Sequence, residues 1–89
     1  MAFYICNHFV HDFDKWKKVY DSHGELRAAH GITDYQVLQS VHDPKHVIVY
    51  GEGSVDDITK FILSPEAMKA MSVAGVAGPP EVYIGENRL

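Results

Sequence analysis

Residues 2–10, AFYICNHFV, form a nearly unbroken run of apolar, aromatic and β-branched types. Such a run predicts a strand buried on both faces. From Asp12 the period changes. Phe13, Trp16, Val19, Tyr20, His23, Leu26, Arg27 and His30 fall on one side of a helical wheel, with Asp14, Lys18, Asp21, Glu25 and Ala28 on the other. Asp12 is placed to cap this helix, and Gly31 to end it just after His30. Residues 32–42 and 46–53 are two further strands joined by a short turn containing Pro44, which predicts an antiparallel hairpin. Ser54, with Asp57 three residues later, opens a second helix through Leu63. Ser64-Pro65-Glu66 restarts it with a bend, and it continues to about Val73. Residues 74–80, AGVAGPP, read as a loop, and 81–85, EVYIG, as the last strand.

The order β-α-β-β-α-β is the ferredoxin-like α+β arrangement, a four-stranded antiparallel sheet with both helices on one face. One domain over residues 1–89 is expected, and a chain this short buries only about 60 per cent of its unfolded surface. Helices can cover only one face of the sheet. Strands such as VIVY (47–50) have no polar side to offer water on the other, which predicts an isologous homodimer closed through the open sheet faces.

Composition narrows the function classes. With 46% apolar and 22% charged residues, neither disorder nor a fibrous array is expected. The net charge of −4 and the scattered lysines provide no basic stripe, so neither nucleic acid nor an anionic membrane is an expected partner. No apolar run approaches the roughly 18 residues of a membrane span, and the N-terminal segment lacks the features of a signal peptide, so the expected location is cytoplasmic. Cys6 has no mate for a disulfide and reads as a packed thiol, with no cationic neighbour in sequence to lower its pKa.

The unusual signal lies on the first helix. His23 and Arg27 fall near the middle of the face that should pack on the sheet, flanked by Trp16 and Tyr20. Arginine is rarely buried unless paired. One reading is a pocket between helix and sheet, walled by aromatics with a few polar groups. The other has Arg27 snorkelling to the rim to meet Asp34 or Glu52, with His23 on a backbone carbonyl. His30 suits a helix C-terminus, where the dipole favours it. His8, inside an apolar strand, is disfavoured in its charged form and is a candidate acid–base group, or a core histidine satisfied by one backbone partner. The pairs His8/His11 and His42/His46 fall short of the three or four ligands a zinc site takes, so no metal is expected.

Several motifs together carry a resemblance: HFVHDFDKWK at 8–17, YDSH at 20–23 with Arg27, HG at 30–31, DP at 43–44, SPE at 64–66 and AGVAGPPEV at 74–82. The chain resembles small bacterial proteins of the dimeric α+β barrel superfamily, cyclase-like or antibiotic-biosynthesis-monooxygenase-like. That resemblance implies the fold read above, a homodimer, a small-molecule ligand and no cofactor. It implies acid–base chemistry on an aromatic or polyketide-like substrate. His8 or His23 would move the proton, Arg27 would hold an enolate, phenolate or carboxylate, and Trp16 and Tyr20 would stack on a flat ligand. A non-enzymatic stress-response or interaction module of the same fold is the alternative. Asn7 stands where family-like sequences often carry arginine. It is similar to the strand-one asparagine of haem-degrading relatives, whose later-helix tryptophan and histidine are absent here.

Overall fold

The computed structural model describes residues 1–89. The elements run β1 (Ala2–Val10), α1 (Phe13–Ser22), α2 (Gly24–Ala29), β2 (Thr33–Gln39), β3 (His46–Gly53), α3 (Val55–Ile62), α4 (Pro65–Ala74) and β4 (Val76–Glu86). The strands form one antiparallel sheet in the order β2-β3-β1-β4. Alternate residues of the central strands, Ala2, Tyr4, His8 and Val10 with Val47 and Val49, are buried together with Trp16, Ile58 and Ala74 of the helices. This is the ferredoxin-like α+β fold, with the helices on one face.

The caps anticipated from sequence form. Asp12 accepts the Lys15 N–H at 3.1 Å, Ser54 the Asp57 N–H at 3.0 Å, and Ser64 the Ala67 N–H at 3.2 Å. Gly31 takes a left-handed conformation (φ 78°) after α2, and Gly75 does the same after α4.

Three boundaries differ from the sequence reading. The first helix is not continuous to His30 but breaks at His23. There the Ser22 hydroxyl donates to the Val19 carbonyl at 2.7 Å, and His23 Nδ1 lies 2.8 Å from the same oxygen. Side chains thus occupy the carbonyl that the next helical N–H would use, and the His23 N–H bonds Tyr20 instead. The hairpin turn is longer than Pro44 and its neighbours alone. Ser40 Oγ accepts the His42 N–H and Asp43 Oδ1 accepts the Lys45 N–H, so β2 ends at Gln39.

The third difference lies in β4, which begins at Val76 rather than Glu81. Val76 pairs with Val10, and Ala77 with Phe9. Gly78, Pro79 and Pro80 then bulge out opposite His8 before pairing resumes at Glu81 and Asn7. The prolines are tolerated because β4 is an edge strand and because a bulge needs no ladder donor there.

Gly51, between Tyr4 of β1 and Asp34 of β2, fixes how closely these strands approach. A Cβ at this position would lie 2.5 Å from the Thr33 carbonyl oxygen and 2.8 Å from the Tyr4 ring. Gly51→Ala is expected to destabilise the fold by roughly 1–3 kcal/mol, the usual range for overpacking. Urea denaturation checks this, and an unchanged midpoint would contradict it.

Candidate functional site

Between the helices and the sheet lies a cavity of about 260 Å³. Its floor is β1, where residues two apart point the same way, so Tyr4, Cys6 and His8 form a row. Trp16 and Tyr20 of α1 form one wall, Phe61, Ile62 and Met71 contribute apolar surface, and Pro80 enters from the β4 bulge. The structure therefore brings His8, Trp16, Tyr20 and Arg27 around one space.

His23 lies elsewhere. Its imidazole folds back onto α1 through Val19, outside this cavity, and lines two separate hollows, one with Ala70 and one with Leu26 and Ala70. The helical wheel placed it beside Arg27 because it assumed an unbroken helix. His30 packs edge-on to Phe61 with ring centroids 5.3 Å apart, and it too does not line the cavity. Asn7 belongs to the opposite sheet face, where it contacts His46 Nε2 and Glu81.

Arg27 is 6% exposed. Its Nε donates to both carboxylate oxygens of Asp34, at 3.0 and 2.9 Å, and its guanidinium carbon sits 3.6 Å above the Tyr20 ring centroid. Both readings of the sequence therefore meet in one residue, paired with Asp34 yet buried on the cavity wall. A guanidinium has five N–H donors, and only Nε–H is used. The four Nη donors have no protein partner. A polar cleft of about 310 Å³ opens on the far side of Arg27, lined by Asp34, Tyr35 and Gln36.

Trp16, the chain's single tryptophan, is 3% exposed. Its ring stacks on Tyr20 at 5.0 Å and tilts against His8 at 5.3 Å. His8 is buried, and its Nδ1 lies 3.5 Å from Cys6 Sγ. With Nδ1 turned to Cys6, Nε2 is the nitrogen available to a ligand.

Burial lowers the His8 pKa below its ordinary 6.5, against the pull of a Cys6 backbone hydrogen bond and with a small push from His46. Burial also raises the Cys6 thiol to about 11. The Tyr20 phenol is raised to about 12, by burial first, with Arg27 opposing and Asp34 adding to the rise. Tyr4 moves in the same direction, again mainly through burial. At neutral pH the row His8, Cys6, Tyr4 and Tyr20 is therefore uncharged, and the ion pair Arg27–Asp34 carries the local charges. The Tyr20 hydroxyl is buried and makes no hydrogen bond. No group of three or more His, Cys, Asp or Glu side chains is placed to hold a metal ion.

Tyr4 and Cys6 as cavity residues were not singled out in the sequence. The signal was available, since they alternate with His8 along one strand face. Pro80 gave no such signal because its segment reads as a loop.

Since the folded state holds His8 neutral, the unfolded chain binds more protons below about pH 6.5, and stability must fall as pH drops through that value. NMR titration should place the His8 midpoint below 6.5. Between about pH 7 and pH 5 the wild type should lose more stability than His8→Gln, as read by urea denaturation. Equal losses, or a midpoint above 6.5, would contradict this placement of His8.

No family model matches the chain, and no curated protein matches it significantly. Solved structures do. A protein described as an antibiotic biosynthesis monooxygenase from Nitrosomonas europaea aligns with a TM-score of 0.75 at 17% identity, over 98% of each chain. One of like description from Bordetella bronchiseptica gives 0.79 at 18%, over 99% of this chain and 97% of the other. SnoaB of Streptomyces nogalater, a cofactor-independent oxygenase, gives 0.80 at 12%, over 99% and 93%. Across nearly its whole length the chain thus shares the fold of these solved proteins, the ferredoxin-like α+β fold described above.

Proposed function

We propose that this protein is a homodimeric small-molecule-binding protein that performs cofactor-free acid–base chemistry of the monooxygenase or cyclase type. Its substrate is an aromatic or polyketide-like molecule bound in the cavity between the first helix and the sheet. The observation that carries this reading is the set of unspent Arg27 donors on the wall of an apolar cavity that also holds a neutral, buried histidine. The Tyr20 hydroxyl is the one buried side-chain polar atom left without a partner, so the Arg27 Nη groups reach solvent, and as free cationic donors they suit an oxyanion ligand.

In this mechanism His8 Nε2 takes a proton from an acidic C–H or O–H of the substrate, leaving an enolate or phenolate. That electron-rich anion is the species common to ring closure and to reaction with dioxygen. The Arg27 Nη groups hold its oxygen by charge-assisted hydrogen bonds, while Asp34 fixes the guanidinium plane through Nε. Trp16 and Tyr20 stack on the flat substrate and exclude water. His23 has no part in this scheme, because it lies outside the cavity. The fold shared with a cofactor-independent oxygenase supports the reading.

A second copy covers the open sheet face. That face carries Ile5, Phe9, Tyr35, Leu38 and Tyr83, each 44 to 56% exposed, and a hollow of about 340 Å³ between Phe3, Ile5 and Tyr83. Self-association buries this apolar surface, and dimers through the sheet give the superfamily its name.

Two measurements test the proposal. Trp16 emission should change on titration with aromatic acids. Arg27→Met should weaken acid binding by about 10- to 100-fold, the worth of one charge-assisted hydrogen-bond set, with Arg27→Lys intermediate. Unaltered binding in Arg27→Met would contradict the role given to the guanidinium. In sedimentation, wild type should run as a dimer and the double variant Ile5→Lys, Phe9→Glu as a folded monomer. A monomeric wild type would overturn the dimer.

A further inference from the structure

Resting on that reading, we infer that the Tyr4 hydroxyl is a second ligand-binding donor in the cavity, placed to hold the anionic oxygen of a phenolate, enolate or carboxylate together with Arg27. Proton transfer to His8 does not use it. Tyr4 is 7% exposed and lines the cavity, yet no side chain or backbone group of the chain bonds its hydroxyl. The Tyr20 hydroxyl is the only fully buried side-chain polar atom without a partner, so the Tyr4 hydroxyl opens on the cavity and not into packed protein. A tyrosine this deep ordinarily meets an acceptor.

The strand register places that hydroxyl beside the ion pair. Tyr4 pairs with Gly51 across β1 and β3, and Gly51 pairs with Asp34 across β3 and β2. The Tyr4 ring leans over Gly51, where a Cβ would stand 2.8 Å from its Cε1 and 2.5 Å from the Thr33 carbonyl oxygen. The ring thus leads from β1 toward the start of β2, and its hydroxyl lies on the side where Asp34 meets Arg27. The electrostatics agree, since Tyr20, Asp34 and Arg27 all act on Tyr4.

The chemistry of this corner follows from its free groups. Arg27 Nε occupies both Asp34 oxygens, which leaves the Tyr4 hydroxyl and the Nη groups unspent. The guanidinium also faces the polar cleft, with Nη2 3.8 Å from where a Gly24 Cβ would stand, so it does not fill the cavity end alone. Burial raises the Tyr4 phenol, which therefore keeps its proton at neutral pH and donates. A fixed neutral donor in an apolar lining stabilises negative charge on a ligand oxygen without burying a second cation. It favours a ring that carries such an oxygen over one that does not.

The test is fluorine NMR titration of the protein at neutral pH with pentafluorophenolate and with hexafluorobenzene, a ring of like size without the oxygen. Quenching of Trp16 emission reports that each probe sits in the cavity. The wild type should bind both. Tyr4→Phe should weaken pentafluorophenolate by about 10- to 100-fold, the worth of one hydrogen bond to a charged group, and leave hexafluorobenzene unchanged. A Tyr4→Phe variant that binds both probes as the wild type does would overturn the inference and leave the Arg27 role, which Arg27→Met tests separately, standing. Equal weakening of both probes would make Tyr4 a packing residue and overturn the inference as well. If the wild type binds no pentafluorophenolate in the cavity, this inference and the proposed site fail together.

Discussion

Taking a guanidinium out of water costs several kcal/mol unless a partner meets it, and a buried charge stripped of its partner costs about 3–5 kcal/mol. Arg27 sits under that constraint with one carboxylate and one aromatic face for company. Asp34 must stand at the start of β2 and point inward, which the close approach of the strands at Gly51 permits. Tyr20 must lie flat beneath the guanidinium, and Trp16 flat against Tyr20. The aromatic wall, and the space it encloses against β1, follow from accommodating one cation.

The same constraint explains what the sequence disclosed. Arg27 on the apolar stripe of a helix was an anomaly visible without coordinates, and it pointed to the cavity. His8 was visible for a similar reason, as a polar residue within an apolar strand. His23 was equally conspicuous on the wheel, yet the wheel assumes 3.6 residues per turn throughout. The bonds of Ser22 and His23 to the Val19 carbonyl end that regularity one turn before Arg27. A local competition between side chain and backbone decided the outcome, and sequence periodicity does not register such competition. The β4 boundary was missed for a related reason. Gly78, Pro79 and Pro80 have loop chemistry, but an edge strand with a bulge accommodates them. The order of elements was legible throughout, since caps at Asp12, Ser54 and Ser64 rely on local geometry alone.

Strand alternation also separates two tasks. On β1, Tyr4, Cys6 and His8 turn toward the helices, whereas Phe3, Ile5, Asn7 and Phe9 turn outward. The outer face joins apolar residues to a polar cluster in which Asn7 contacts His46 and Glu81, and Tyr83 donates to Glu81 at 2.6 Å. The proposed chemistry on the inner face and the proposed self-association on the outer one therefore rest on different residues and can vary independently.

The central claim is that the free Nη donors of Arg27 await an anionic oxygen inside the cavity. A crystal structure of the protein grown with a saturating aromatic acid tests it most directly. The account predicts ligand density along Tyr20 and Trp16, with both acid oxygens within hydrogen-bond distance of Arg27 Nη and the Asp34 contact to Nε intact. A cavity closed by side-chain collapse, or a ligand bound with its acid group away from Arg27, would contradict it.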